Sequence, residues 1–416
     1  MRKKKNTKKI IIKIILLTAI FQVLFSVFAF AENEADTTQG QKQSQQQSQQ
    51  QSQQQLINEQ LNSDEVKNVE KEMQKYKDGD IKEILPDYDP EKIITDVAEG
   101  KFKFGVTDAI NKALQFLFKE VYQNIGILIK LVILVILCAV LKNLQNSFLS
   151  ESVGEIAFYA CYAVIVAVLI LSFNTAMELG HSVIDSMVSF MHASIPVMVT
   201  LLISGGNLAS AGVLQPTLIL IVQVTATIVK NVFLPLIFLS TILSVVNNIS
   251  DKIQISKLAG LFKQITGWAV GMTLTLFIAL ISIQGTLGAA VDGVTGKTAK
   301  YAINTFVPIV GKYLSDAADA VVGCSLIIKN ASGTAILIGV VALCLVPLLK
   351  ILALVLLYRA SSALVEPIAD KRITNCMSDM AGSLTYVLGI AAAVAFMFFI
   401  SITVLISAGN MSTAIR

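Results

Sequence analysis

The apolar positions of this chain fall into long, almost uninterrupted runs. Each run is close to the roughly 20 residues that a helix needs to cross about 30 Å of hydrocarbon. Continuous runs favour helices, because the strands of a membrane barrel alternate apolar and polar positions. The pattern therefore predicts an all-α, polytopic integral membrane protein. The clearest runs are residues 125–141 (interrupted only by Lys130), 156–173, 268–285, 335–357 and 384–408.

Composition agrees with this fold class. The chain is 54% hydrophobic and only 15% charged, whereas about a quarter of the residues are charged in a typical soluble protein. The net charge of +4 is small, and much of the Lys/Arg excess lies in the first thirteen residues, so it does not indicate nucleic-acid binding. The five cysteines form no CxxC pair, and we interpret them as small packing residues.

The first 31 residues have the three parts of a signal peptide. A basic segment is followed by an apolar segment at residues 14–28, and Ala29-Phe30-Ala31 gives a small-x-small cleavage site. We therefore expect cleavage after Ala31. An uncleaved signal anchor is the alternative, and in either case residue 32 begins outside the cytoplasm.

Two segments of different composition follow the signal peptide. Residues 32–55 are polar and rich in glutamine, so they are predicted to be a disordered tether. Residues 56–124 carry apolar positions at helical spacing, interrupted around Pro86 and Pro90, and are predicted to be an exported amphipathic helical segment. This segment is either a region that docks a partner or a solvated stalk.

The membrane region contains an internal repeat. Pro196 recurs as Pro308, 112 positions later, and Pro235 recurs at the same offset as Pro347. The order of matching features predicts a duplication, with repeat 1 at residues 190–288 and repeat 2 at 302–408, after a first transmembrane hairpin at 125–173. The remaining matches are Asp251-Lys252 with Asp370-Lys371, and Ala259-Gly260 and Gly267 with Ala381-Gly382 and Gly389.

Repeats that pair proline-containing helices with glycine-rich helices are typical of transporter and channel scaffolds. The prolines bend the helices, and Gly260, Gly267, Gly271, Gly382 and Gly389 are expected to let helices approach closely. The chain has six spans, or eight if residues 195–212 cross the membrane and residues 213–246 split at Lys230-Asn231. Both counts make the two repeats parallel.

The exported start sets the predicted topology. Residues 32–124 lie outside, Lys142 begins an inside loop, residues 174–193 form an external loop, and residues 248–264 and 358–383 are cytoplasmic. The last two segments are rich in Lys and Arg, as the positive-inside tendency requires. One segment disagrees, because residues 286–334 would form a long external loop and yet contain Lys297, Lys300, Lys312 and Lys329.

The sequence offers no catalytic, cofactor-binding or metal-binding constellation. His181 and Asp185 are four residues apart and His192 follows eleven residues after His181, but a zinc site needs three or four clustered ligands. The P-loop, HExxH and GxSxG motifs are absent. We therefore expect a protein that is not an enzyme.

Ionisable residues at membrane depth are the remaining candidates for function. Lys130 and Lys350 lie near enough to helix ends to extend towards water. Lys230 lies between two apolar runs and is the best candidate for a pathway or subunit contact, although a loop position is the alternative. The candidate structural or pathway residues are Lys230, Pro235, Pro347, Pro196 and Pro308, with Gln223 and Gln284 as polar companions.

Several stretches resemble one known family. They include Ser204-Gly205-Gly206-Asn207, the run from Asn231 through Leu234-Pro235-Leu236 to Asn248, and the run from Asp292-Gly293-Val294-Thr295 to Gly323-Cys324-Ser325-Leu326. Together they resemble the stage III sporulation protein AE family of endospore-forming bacteria, over about residue 85 to the C-terminus. The glutamine-rich tether departs from that pattern.

The resemblance implies a membrane component of the channel or secretion-like complex between mother cell and forespore. That complex is required for endospore formation and for late forespore gene expression. The implied partners are the sibling stage III sporulation operon proteins, which include an ATPase and ring-forming subunits, and indirectly stage II sporulation protein Q. The implied location is the mother-cell membrane around the forespore. A secondary transporter acting alone and a purely structural anchor are the alternative functions.

Overall fold

The computed structural model describes residues 81–84, 88–102, 105–148, 151–249, 255–307 and 311–415, together with isolated positions between 64 and 74. The predicted signal peptide, Ala31 and the glutamine-rich segment lie outside the described residues. So do Asp251-Lys252 and Pro308.

The described residues form helices and contain no strand. A π-helical turn, Val229–Phe233, continues the helix from Ile228 to Leu234 without a break. The helices are α1 (Ile81–Ile84), α2 (Pro90–Ala98), α3 (Val106–Gln123), α4 (Ile125–Phe148), α5 (Glu151–Ser204), α6 (Leu208–Ile228), α7 (Leu234–Ile249), α8 (Ser256–Phe306), α9 (Gly311–Val365) and α10 (Lys371–Ile415).

Six helices of the described chain are long and apolar enough to cross a membrane, which confirms the polytopic α-helical fold. Residues 208–249 form one of them, so this part of the chain does not split at Lys230-Asn231. Four of the others begin at Tyr159, Ser256, Tyr313 and Lys371 and are 42–53 residues long. At 1.5 Å per residue they extend about 60–80 Å, roughly twice the thickness of the hydrocarbon.

Two expected external loops are helical instead. Residues 174–193 lie in the middle of α5, and residues 286–334 are almost entirely the end of α8 and the start of α9. The polar residues there did suggest loops. However, apolar residues continue at helical spacing through both segments, and Ile184 in the first and Ile328 in the second are buried in the bundle.

The centre of the bundle is the α9–α10 hairpin. α5 and α8 pack against it, α6 and α7 pack between α8 and α10, and α4 packs against α5 and α9. In the most apolar 18 residues of each helix, 61% are buried for α9 and 50% for α10, but only 28% for α8. Helix α8 therefore lies at the edge of the bundle.

The helices that precede the first apolar span, α1 to α3, pack against α9. Ile84 of α1, Phe116 of α3 and Val346 of α9 form a small buried cluster. Glu83 pairs with Lys119, and burial raises the pKa of Tyr88, just before α2. Residues 81–123 therefore pack on α9 through one part of their apolar surface, while the outer face of α3 stays exposed.

Candidate functional site

The α5–α6 hairpin is closed by a capped turn. Gly206 adopts a left-handed conformation with φ of 75°, which a residue without a side chain permits. Asn207 precedes α6 but makes no capping hydrogen bond to it. Instead the carboxylate of Asp292, from α8, accepts hydrogen bonds from the backbone N–H groups of Ala209 and Ser210, both at 2.8 Å. A negative charge at a helix N-terminus is stabilising, so Asp292 anchors the turn to α8.

Close backbone contact accompanies this cap. A Cβ atom added to Gly288, one turn before Asp292, would lie 2.8 Å from the Cα atom of Ser210. Only glycine fits there. By contrast, a Cβ atom on Gly260, Gly271, Gly382 or Gly389 would meet nothing within 4 Å. The close approach expected at those four positions is therefore absent within this chain.

Two polar pairs connect α5 and α6 with the π-helical turn. The Lys230 ammonium donates to Asp185 at 2.5 Å, and the His192 ring nitrogen lies 3.2 Å from the side-chain oxygen of Gln223. The two pairs are seven residues apart on each helix. Both therefore fit the same antiparallel alignment of α5 with α6 and the π-helical turn that follows it. Lys230 is thus part of a helix and not of a loop, and its side chain is 32% exposed.

The π-helical turn has a local cause. Pro235 lacks an N–H group and cannot bond to the carbonyl four residues back. The chain widens immediately before it, where the Leu234 N–H donates to the carbonyl of Val229, five residues back. This widened turn contains Lys230. Such turns are frequent at functional sites in helices.

The other prolines lie in different surroundings. Pro347 lies half-buried inside α9, which contains no π-helical turn, and Pro196 lies inside α5, which is equally continuous. Pro308 is outside the described residues, between the ends of α8 and α9. The structure therefore places Pro235 directly after a π-helical turn and Pro347 inside an unbroken α-helix, and it does not bring the three described prolines into one site.

One buried cation, Lys329, lies at a position where the sequence predicts an external loop. Lys329, expected in an external loop, is 0% exposed between α9 and α10. Its ammonium group donates to the backbone carbonyl of Ile406 at 2.7 Å and lies 3.4 Å from the amide oxygen of Asn410. No carboxylate of the described residues pairs with it. The available signal was the position of Lys329 between two apolar runs with small residues around it, Ala331-Ser332-Gly333.

Gly409 of α10 leaves the space that the Lys329 side chain occupies. A Cβ atom on Gly409 of α10 would clash with the Lys329 ammonium group, and one on Gly333 would lie 2.5 Å from Ile406. The α9–α10 contact is therefore built around a buried amine and two helix glycines. Burying a charged group is costly unless it is hydrogen-bonded, and the Ile406 carbonyl and the Asn410 amide oxygen accept those bonds from Lys329.

A second polar cluster lies at the opposite end of the bundle. The Asn248 side chain donates to Asp379 at 3.0 Å, and Lys263 donates to the Asp379 backbone carbonyl. Asp370 pairs with Lys142 and accepts a hydrogen bond from the Arg372 N–H. Burial alone would raise the pKa of Asp370, but these contacts outweigh it and hold the pKa below its ordinary value.

The remaining candidates are spread over the surface. Lys130 is exposed on α4, and Lys350 lies 4.0 Å from Glu120. In the described part of the chain no three His, Cys, Asp or Glu side chains are grouped as a metal site. The polar contacts described above join helices to one another. Their role is to hold the helices in position.

Comparison with known proteins identifies the family. The family model of stage III sporulation protein AE matches residues 88–409. The stage III sporulation protein AE of Bacillus subtilis (strain 168) is 33% identical over 320 residues, which cover 76% of this chain and 79% of that protein. No solved structure matches the chain. The chain therefore belongs to the stage III sporulation protein AE family, a family of sporulation proteins whose member here has the helices of a multi-pass membrane protein.

Proposed function

We propose that this protein is a non-enzymatic membrane component of the channel or secretion-like complex between mother cell and forespore. In this role it is required for endospore formation and for late forespore gene expression. The observation that carries the proposal is the family match over residues 88–409. Its location would be the mother-cell membrane around the forespore, with the N-terminal segment outside the cytoplasm.

The architecture supports a platform function. Helices of about 60–80 Å exceed the bilayer, so a large part of the bundle projects from the membrane. If the N-terminal segment is extracytoplasmic, the end of α4 and the α9–α10 turn face the cytoplasm. The α5–α6 and α8–α9 turns then face the space between the two cell membranes. That end is suited to contact ring-forming sibling subunits, which in turn reach stage II sporulation protein Q, while the cytoplasmic end is suited to a sibling ATPase.

Genetic complementation tests the proposal. The chain is expressed in a sporulating host that lacks its own family member, and heat-resistant spores and a late forespore-specific reporter are counted. We expect both to be restored. Spores restored without any effect on the reporter would contradict the channel role.

A transporter that acts alone is the second candidate, favoured by the repeat and by the prolines inside α7 and α9. Purified protein in liposomes distinguishes the two candidates. Solute flux driven by an ion gradient, by this protein without siblings, would contradict the component role. Pairwise crosslinking to the ATPase and ring subunits in sporulating cells is the positive result that the component role requires.

A further inference from the structure

Helix α8 presents an apolar surface that the chain does not cover. From Leu258 to Val294, apolar side chains recur every three or four residues on the outer face of the helix. They include Trp268, which is 75% exposed, Met272 at 66% and Leu287 at 58%. We call this surface the α8 stripe. None of the side chains that recur along it is charged.

The α8 stripe is too long to be covered by lipid alone. From Leu258 to Val294 it extends about 54 Å at 1.5 Å per residue, whereas the hydrocarbon of a bilayer is about 30 Å thick. At least about 20 Å of contiguous apolar surface would therefore face water. An exposed surface of that size marks a contact with protein.

A second surface of the same kind lies on another edge of the bundle. Apolar side chains recur on the outer face of α3 and α4 from Val106 to Val140, and Phe118 and Tyr122 are 70% and 76% exposed. Summed along the two successive helices, with the turn at Asn124 between them, this α3–α4 stripe is about 51 Å long. α4 packs on α5 and α9, whereas α8 packs on α6, α7, α9 and α10, so the two stripes lie on different edges.

The contacts of α4 show which part of the stripes projects from the bilayer. Lys142 at one end of α4 pairs with Asp370, and Glu120 just before the other end lies 4.0 Å from Lys350. The 18 apolar residues between these levels match one bilayer thickness. Helix α3, with Val106 and Phe118, therefore lies outside the hydrocarbon. Lys263, near the start of α8, contacts Asp379 of α10 close to the Asp370 level, so the outer part of α8 with Leu287 and Val294 also lies outside it.

We propose that a second copy of this chain covers these surfaces, with the α8 stripe of one copy against the α3–α4 stripe of the next. The two stripes are of nearly equal length and run in opposite chain directions, as helices that pack side by side from copies of equal orientation would. Each offers about a dozen half-exposed apolar side chains, an area of the order of the roughly 800 Å² per partner found in stable interfaces.

Charge and symmetry support this arrangement. Asp108 beside the outer end of the α3–α4 stripe is 67% exposed, although it also pairs with Lys112, and Lys297 beside the outer end of the α8 stripe is exposed. The two carry opposite charge. A contact between two different surfaces of the same chain is repeated from copy to copy and closes into a ring if the rotation allows. Pairing of α8 with α8 would leave the α3–α4 stripe uncovered.

Site-specific photocrosslinking of the full chain tests the proposal. p-Benzoylphenylalanine is placed at Leu287 or Phe118, and at the buried neighbours Ile281 and Phe116 as controls, in a bacterial host without sporulation genes. Two differently tagged copies are expressed together, so that a crosslink between copies is recognised. We expect dimers and higher multiples from Leu287 and Phe118 and none from the controls. Peptide mapping should join Leu287 to α3 or α4.

Three results would overturn the proposal: monomers only from both stripe positions, crosslinks only between the α8 stripes of two copies, or crosslinks only to another protein or to lipid. A charge exchange sharpens the test. Asp108→Lys and Lys297→Asp should each lower the yield of dimers about two- to fivefold, and the combined variant should restore it. Because no sporulation partner is present, failure of this experiment leaves the channel role open, and failure of complementation leaves the oligomer open.

Discussion

The two repeats occupy unequal places in the bundle although their sequences match in order. The helices α9 and α10 of repeat 2 form its centre, whereas α8 of repeat 1, the counterpart of α10, lies at the edge with its outer face uncovered. The prolines differ as well, because Pro235 follows a π-helical turn and Pro347 lies in an unbroken α-helix. The two predicted repeats therefore share the order of their motifs but not their packing partners.

Repeat 2 should be the half most sensitive to substitution. Lys329→Ala should lower the free energy of unfolding by about 2–5 kcal/mol, because it leaves a cavity and removes the contact of α9 with the Ile406 carbonyl. Lys329→Met fills the volume and should cost less, about 1–3 kcal/mol, because only the hydrogen bonds to the Ile406 carbonyl and the Asn410 amide oxygen are lost. The melting temperatures of the detergent-solubilised wild type and the two variants measure both losses of stability. Equal losses would show that the amine itself, and not its volume, holds the helices together.

The inner and outer faces of α8 should respond in opposite ways. Gly288→Ala forces a Cβ atom against the Ser210 backbone and should destabilise the protein by about 1–3 kcal/mol. Gly271→Ala, on the outer face, meets nothing and should be neutral or stabilising by up to about 1 kcal/mol, because alanine favours the helix. Thermal unfolding of the two variants makes the comparison. A destabilising Gly271→Ala would mean that another chain already packs at that position.

The ion pair of Lys142 on α4 with Asp370 in repeat 2 should make the free energy of unfolding depend on pH. Asp370→Asn should cost about 0.5–2 kcal/mol, because Asp370 caps α10 and pairs with Lys142. The folded-state pKa of Asp370 is depressed, so its contribution is present above the ordinary pKa of 3.8 and disappears as the pH falls through the lower folded value. The difference between wild type and variant should stay constant from pH 8 to 5 and narrow below pH 4. Lys142→Gln is the control, and a narrowing near neutral pH would contradict the assignment.

Helix type and the membrane class could be predicted from the sequence, because long apolar runs have one physical solution in lipid. Segment 174–193 is predicted as an external loop from the topology that the exported start sets, whereas the structure makes it part of α5. Local polarity does not show where a long helix leaves the membrane. Lys329 was missed because its partners, the Ile406 carbonyl and Asn410, lie about 80 residues away in the chain. Contacts at that distance depend on packing that no local pattern encodes.

Pro235 and Pro347 occupy corresponding positions in the two predicted repeats. Of all these substitutions, replacing the two prolines should change the free energy of unfolding least. Pro235→Ala and Pro347→Ala each restore an N–H donor in a helix interior. We expect both variants to accumulate normally in the membrane and to change the free energy of unfolding by less than about 1 kcal/mol.

Their effect on function should be larger. In Pro235→Ala the π-helical turn loses its cause, so Lys230 should rotate away from Asp185. We therefore expect both variants to form spores poorly, with the double variant worst. Lys230→Met is the matched control, because it removes the ion pair without straightening the helix. If Lys230→Met forms spores normally while Pro235→Ala does not, spore formation depends on the π-helical turn before Pro235 and not on the ion pair of Lys230 with Asp185. Normal spore counts from both proline variants would instead show that the prolines serve packing alone, since membrane helices tolerate proline wherever neighbours satisfy the freed carbonyl.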